Sequence, residues 1–226
     1  MDVARQRDDE IYAGYVDKWL ELAGANDWEA WASWVLSGGQ PAISVTRMKE
    51  LDELDRYLFS RVWPHRYLAL EDALLNFRRV LNDFRVVFMK HATSRGGDND
   101  SYRTQKFYQH GQHEDSSYYQ QLDLYNYHVD LVGDLMFELT RAANNVCDEV
   151  RKSISPSFRF HEGTLLITSG PDLDLSFKTC HPEYRDKNRY SGLREFMEAR
   201  AQRDVHFGRG VEESYFTSIQ HAEYDR

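Results

Sequence analysis

Three arginine–histidine pairs have the residue types and spacing that acid–base chemistry on a phosphate would need. An arginine can bind a phosphate group and a histidine can transfer a proton, so such a pair could act on an RNA phosphate and its 2′-hydroxyl. The chain contains 21 arginines and nine histidines, and random placement would give roughly two or three pairs at this spacing. The spacing therefore does not by itself indicate catalysis. The pairs are Arg85 with His91, Arg103 with His110, and Arg200 with His206.

Helical ribonucleases of the HEPN class place an arginine and a histidine near a helix with four to six residues between them. A HEPN-like helical ribonuclease or a toxin-like protein is therefore one hypothesis for this chain. His91 also lies on the apolar side of a predicted helix, where a histidine packed in the core is the more common arrangement. No longer motif in the sequence resembles that of a known family.

Two short stretches carry side chains that bind metals or act as nucleophiles. His110 and His113 precede two acidic residues, but a structural zinc site usually has its ligands in two clusters. A second cluster is missing unless Cys180 and His181 fold against the first, so we predict a polar loop with no metal and no cofactor. The base in Cys180-His181 directly follows the thiol, and adjacent side chains rarely meet, so a thiol nucleophile is not expected.

Residues 185–209 form a locally basic stretch, with seven bases and four acids. Arginines interleaved with aromatic residues can bind phosphate groups or stacked bases. A sensor for an anionic ligand such as a nucleotide is therefore a further hypothesis, and nucleic acid is expected to bind only through this stretch. A solvated helix stabilised by pairs of opposite charge is the simpler interpretation. The candidate ligand-binding residues are Arg185, Arg189, Tyr190, Arg194 and Arg203.

Composition and charge exclude several classes of protein. The formal net charge of −9 disfavours non-specific binding to nucleic acids and anionic membranes. Aromatic residues make up 14% of the chain, more than a disordered protein would contain, so we expect a packed fold. The chain has two cysteines, a polar N-terminal stretch and no apolar run long enough to cross a bilayer, which predicts a cytoplasmic protein without a membrane partner. Glycine-rich phosphate loops and the HExxH and GxSxG motifs are missing, so the sequence favours a protein without enzymatic activity.

Two long heptad stripes predict the fold. Apolar residues recur at alternating steps of four and three between Leu70 and His91, and again between Tyr125 and Val150. This spacing places each set on one side of a helix. We therefore predict a mainly α fold, a helical bundle around two long helices at residues 67–92 and 122–154, with a small β-hairpin after Pro156.

The chain is expected to form a single domain with three parts. Residues 1–63 would supply N-terminal helices, and residues 64–154 the two long core helices with an insert at 93–121. Residues 155–226 would supply the β-hairpin and a C-terminal helix.

The second long helix also carries charged residues opposite its apolar stripe. Acids and bases follow one another there at steps of three and four, which is typical of a solvent-facing surface stabilised by ion pairs. We therefore predict that this side is solvated. Its members are Glu138, Arg141, Asn145, Asp148 and Lys152.

These features favour a non-enzymatic protein–protein interaction module, an adaptor or a subunit of a larger assembly. The insert at 93–121 is longer than the usual connection of about two to eight residues between bundle helices. The chain is rich in tyrosine and tryptophan, which are enriched at interfaces, and a free hairpin edge can accept a strand from another chain. We therefore expect a protein partner or a homo-oligomer.

Overall fold

The part of the chain that the structure describes contains six α-helices and five short strands. The computed structural model describes residues 3–36, 39–94, 100–110, 116–171, 174–184, 189–200 and 224, without the side chains of residues 110, 116 and 117. The helices are α1 (Val3–Ala23), α2 (Trp28–Leu36), α3 (Val45–Phe59), α4 (Leu68–Lys90), α5 (Ser116–Ser153) and α6 (Leu193–Ala199). The strands are β1 (Ala42–Ser44), β2 (Ala92–Ser94), β3 (Ser101–Thr104), β4 (Ile167–Ser169) and β5 (Lys178–Cys180), and a 3-10 turn spans Phe107–His110. The predicted mainly α fold is confirmed.

The two long helices, α4 and α5, form the centre of the molecule. Their apolar stripes are buried against each other, as the heptad spacing predicts. His128 of α5 contacts His91 at the C-terminal end of α4, whereas Phe77 and Thr140 both contact Trp28. The two helices therefore run antiparallel. Among the residues that the structure describes, every helix is too short or too polar to cross a membrane.

The N-terminal helices cover one side of α4. The indole ring of Trp19 in α1 meets Phe77 of α4 edge to face, with 5.5 Å between the ring centroids. Arg78 of α4 pairs with Asp55 of α3 at 2.8 Å. Burying a large apolar side chain contributes about 1.5–3 kcal/mol to the stability of the fold. The aromatic contacts therefore provide most of the stabilisation between these helices. The ion pair orients α3 against α4.

A three-stranded antiparallel sheet, which no pattern in the sequence predicts, lies beside the ends of these helices. Its order is β1-β3-β2, so β3 pairs with both of the other strands. The predicted insert at 93–121 therefore contains most of β2, all of β3, the 3-10 turn and the start of α5, which begins at Ser116 and not at residue 122 as predicted. β1 also sets the start of α3, because the Ser44 hydroxyl accepts a hydrogen bond from the Arg47 amide at 3.0 Å and caps the helix.

The C-terminal hairpin is formed by β4 and β5, with Ile167 opposite Cys180. Phe158 and Phe160 alternate in the sequence like strand residues, but they lie in turns before the hairpin. The Thr168 amide donates a hydrogen bond to the Ser33 hydroxyl of α2 at 3.1 Å. One side of the hairpin is therefore docked on α2.

Candidate functional site

The structure places Arg85 and His91 on different sides of α4. The Arg85 guanidinium faces α3, where it pairs with Asp52 and, at 3.5 Å, with Asp55. His91 faces the other way and lies with its ring centroid 4.6 Å from that of Phe107. Six residues along a helix correspond to a rotation of about 240°, so this pair cannot act on one phosphate.

The other two arginine–histidine pairs are only partly described. Arg103 lies on β3, with its guanidinium carbon 6.0 Å from the centroid of the Trp34 ring, while the His110 side chain lies outside the described part. Arg200 is completely buried and bonded to Asp134 through its Nε at 2.7 Å. His206 lies outside the described residues.

His91 does lie next to a second histidine, His128, which no pattern in the sequence links to it. The centroids of the two imidazole rings are 4.7 Å apart, and the His128 Nδ1 lies 2.7 Å from the Tyr224 hydroxyl. Lys90 lies over the Tyr224 ring at 4.3 Å. A catalytic base has to reach its substrate, and His128 is fully shielded from solvent. This cluster therefore joins the end of α4, α5 and the C-terminal region rather than presenting two imidazoles to a ligand.

The residues considered for metal binding and thiol chemistry give no reactive centre in the described part. His113 lies outside it, and the described residues contain no group of three histidine, cysteine, aspartate or glutamate side chains that could hold a metal ion. Burial raises the pKa of Cys147 to about 11 and also raises the pKa of Cys180. Both thiols are therefore poor nucleophiles. His181 pairs with Glu183 at 3.2 Å.

The predicted anion-binding residues do not share one environment. Arg185 and Arg203 lie outside the described residues. Tyr190 is buried, and its hydroxyl donates a hydrogen bond to Asp83 at 2.8 Å. Burial and the nearby Asp83 carboxylate raise the pKa of Tyr190, so the phenol stays protonated. Arg189 and Arg194 are exposed, and Arg194 pairs with Glu198 at 3.4 Å.

The charged side of α5 is buried, so the prediction of a solvated surface is wrong for its central part. Glu138 and Arg141 are 0% and 2% exposed, and they pair with each other at 3.1 Å. Every residue from 131 to 144 is buried, because α2 and the C-terminal segment, the described residues between 165 and 200, pack on the sides of α5 that α4 leaves free. Only the last turns of α5 behave as predicted, since Lys152 is largely exposed and pairs with Glu149.

Polar contacts fix this C-terminal segment against α4 and α5. Each one joins a buried or half-buried group on a long helix to a group in the segment, so at least one polar atom of that group gains a partner when it loses water. The contacts follow the chain in order and set the position of the segment along the helices. They are Asn144 with Leu165 and Pro182, Asn76 with Tyr184, Asp83 with Tyr190, and Asp134 with Arg200.

Asp134 makes the stability of the folded chain depend on pH. Burial raises the pKa of Asp134 to about 7, although the Arg200 guanidinium lowers it and Asp130 raises it further. An unfolded aspartate has a pKa of about 3.9. Between these values the native state binds the proton and the unfolded state does not, so the contribution of Asp134 to stability falls as the pH rises.

We therefore expect the wild-type chain to lose about 1–4 kcal/mol of unfolding free energy, relative to Asp134→Asn, as the pH rises from 5 to 8. Urea unfolding of both chains at several pH values measures this difference. Asp17→Asn, at an exposed position on α1, is the matched control and is expected to show no such change. A difference in unfolding free energy between wild type and Asp134→Asn that stays constant with pH would contradict the raised pKa of Asp134.

The outer face of α4 is the side of this helix that the other described residues leave open. We define the α4 outer face as positions 68, 72, 75, 79, 82, 86 and 89, which recur at steps of four and three and are all exposed. Its four apolar side chains expose between 38% and 60% of their surface, which is high for large apolar groups on a central helix. They are Leu68, Leu75, Val86 and Met89.

Both sides of the α4 outer face are occupied by the chain itself. On one side Arg78 and Arg85 reach α3, and on the other side Asp83 bonds to Tyr190. Arg79, on the face itself, donates a hydrogen bond to the Tyr190 carbonyl at 3.2 Å. The face is therefore a continuous helical ridge with fixed neighbours, long enough to contact another helix over several turns.

Comparison with known protein families, with curated proteins and with solved structures found no match to this chain. A function therefore has to be inferred from the described residues. The heptad spacing from Leu68 to Met89 was the signal in the sequence that could have identified the α4 outer face. It was hidden because the stronger apolar stripe on the same helix, from Leu70 to His91, has the same spacing.

Proposed function

We propose that this protein is a non-enzymatic interaction module, an adaptor or a subunit of a larger assembly, which binds another protein chain through the α4 outer face. The observation that carries the proposal is the row of exposed apolar side chains along the central helix α4. Exposed apolar surface that is bordered by polar residues is typical of protein–protein interaction sites. Asp72, Arg79 and Asn82 provide polar groups among the apolar ones.

The state of the chemically reactive groups also supports a binding role. Arg85, Arg200 and Tyr190 each bond to a carboxylate of the same chain. Such internal pairs orient structural elements, whereas a catalytic arginine or tyrosine has to leave donors for its substrate. The ribonuclease and anion-sensor hypotheses would need groups from outside the described residues, such as His206 or Arg203.

Val86→Glu is expected to weaken binding of the partner at least tenfold, to about one tenth of the wild-type level or less, because the added carboxylate would be desolvated at the interface. The measurement is retention of proteins from the native host on the immobilised chain, followed by mass spectrometry and quantitative titration of each retained protein. Val3→Glu, the same change at an exposed position of α1, is the matched control.

A protein that is retained by the wild-type and Val3→Glu chains but lost with Val86→Glu would support the proposal. Equal retention by all three chains would contradict the role of the α4 outer face. Circular dichroism of each variant establishes that the helices are intact, since Val86 is exposed and its replacement should leave the fold unchanged.

A further inference from the structure

The distribution of charge on the α4 outer face suggests what kind of chain it binds. Asp72 and Arg79 lie on either side of Leu75, three residues before it and four residues after it. All three positions point in nearly the same direction, because steps of three and four keep residues on one side of a helix. The face therefore carries an acid, an apolar group and a base in a row.

Such a row is complementary to itself when it is reversed. We propose that the partner of the α4 outer face is a second copy of this chain, packed antiparallel about a two-fold axis close to Leu75. This inference rests on the proposed function and names its partner. A two-fold axis makes the contact reciprocal, so that Asp72 of each copy meets Arg79 of the other and Leu75 packs on Leu75.

The apolar ends of the face fit the same arrangement. In an antiparallel pair, the N-terminal part of one α4 lies beside the C-terminal part of the other. With Asp72 opposite Arg79, Leu68 of one copy lies opposite position 83 of the second, less than one helical turn from Val86. Met89 then lies near the connection before α4 of the second copy, where Val62 is strongly exposed. Apolar contacts at both ends and an ion pair on each side of the axis extend the interface along the whole helix.

A dimer interface would extend beyond the α4 outer face itself. A specific interface usually buries about 800 Å² on each partner, which a single short stripe does not provide. The exposed ring of Phe59, at the C-terminal end of α3, lies beside Arg78 of α4 with its centroid 4.4 Å from the guanidinium carbon. Phe59 thus widens the surface beside Arg78 of α4.

The ion pairs also give the interface a defined direction. A parallel arrangement would place Asp72 beside Asp72 and Arg79 beside Arg79, and like charges in contact cost free energy. The antiparallel arrangement replaces both repulsions by attractions. The net charge of −9 on each copy opposes association in general, so the matched charges matter for selecting this one geometry.

Charge reversal tests the arrangement directly. The molar mass is measured by size-exclusion chromatography with light scattering over a range of concentrations, and wild type is expected to reach twice the 26.6 kDa of one chain. Asp72→Arg and Arg79→Asp are each expected to raise the dissociation constant of the dimer about tenfold, because both ion pairs become repulsive. The double variant is expected to return it to within about threefold of wild type, because the pairs re-form with exchanged signs.

Asp17→Arg makes the same change of charge at an exposed position of α1 and is expected to leave the dimer unchanged. A wild-type chain that is monomeric at all concentrations would overturn the inference, as would a dimer that both single charge reversals leave intact. A monomeric chain that still loses another retained protein with Val86→Glu would overturn only the second copy as partner and would leave the proposed function supported.

Discussion

Replacing Leu139 with aspartate is expected to unfold the chain. Leu139 is fully buried in the central part of α5, within the apolar stripe that packs on α4. The new carboxylate would lose its hydration and the contacts of the leucine side chain would be lost as well. Together these effects exceed about 4–5 kcal/mol, a large fraction of the roughly 5–15 kcal/mol that stabilises a typical domain.

Far-UV circular dichroism and urea unfolding measure this loss. Leu175→Asp provides the matched control, because Leu175 is 77% exposed. Its φ of 64° lies in the left-handed region, which aspartate tolerates better than leucine. We expect this control to keep the wild-type spectrum and stability. A Leu139→Asp chain with a native spectrum and an unchanged urea midpoint would contradict the assignment of the core.

The buried stripes were predictable because they depend on local spacing alone. Apolar residues at steps of four and three identify the buried side of a helix wherever its partner lies, so Leu81 and Leu139 could both be placed in the core. The antiparallel order of α4 and α5 could not be predicted from spacing. It became clear only from contacts that join distant parts of the chain, such as His91 with His128.

On the charged side of α5, the spacing of the residues does not predict whether they are exposed or buried. Glu138 and Arg141 have the spacing of a helical ion pair, and that spacing is the same on a solvated surface and in a buried contact. What decides between the two is the cover provided by the C-terminal segment, whose first contact with α5, at Leu165, comes more than twenty residues later in the chain. No pattern within α5 contains that information.

The three-stranded sheet escaped prediction for a related reason. β1, β2 and β3 contain three or four residues each, too few for an alternation of apolar and polar residues to be recognised. The pairing of β1 with β3 joins parts of the chain that lie about sixty residues apart. Short strands of this kind are defined by their hydrogen-bond partners and not by their own sequence.

The buried pair of Asp134 and Arg200 provides the second large expected effect. Asp134→Leu is expected to lower the free energy of unfolding by about 3–5 kcal/mol, because it leaves an arginine charge in a fully buried position without its carboxylate. Arg200→Met is expected to lower the free energy of unfolding by less than Asp134→Leu does. An arginine keeps its proton under all ordinary conditions, whereas Asp134, whose pKa burial raises to about 7, can become neutral when Arg200 is removed.

Replacing both residues together separates this explanation from a simple loss of contacts. The Asp134→Leu and Arg200→Met double variant removes both charges, so it is expected to be more stable than Asp134→Leu alone although it lacks more of the native atoms. Urea unfolding of wild type, the two single variants and the double variant at pH 7 gives the four free energies of this double-mutant cycle. Equal losses in the two single variants, or losses that add in the double variant, would show that the desolvated arginine charge is not the cause. A double variant as stable as wild type would show in addition that the pair contributes no net stability.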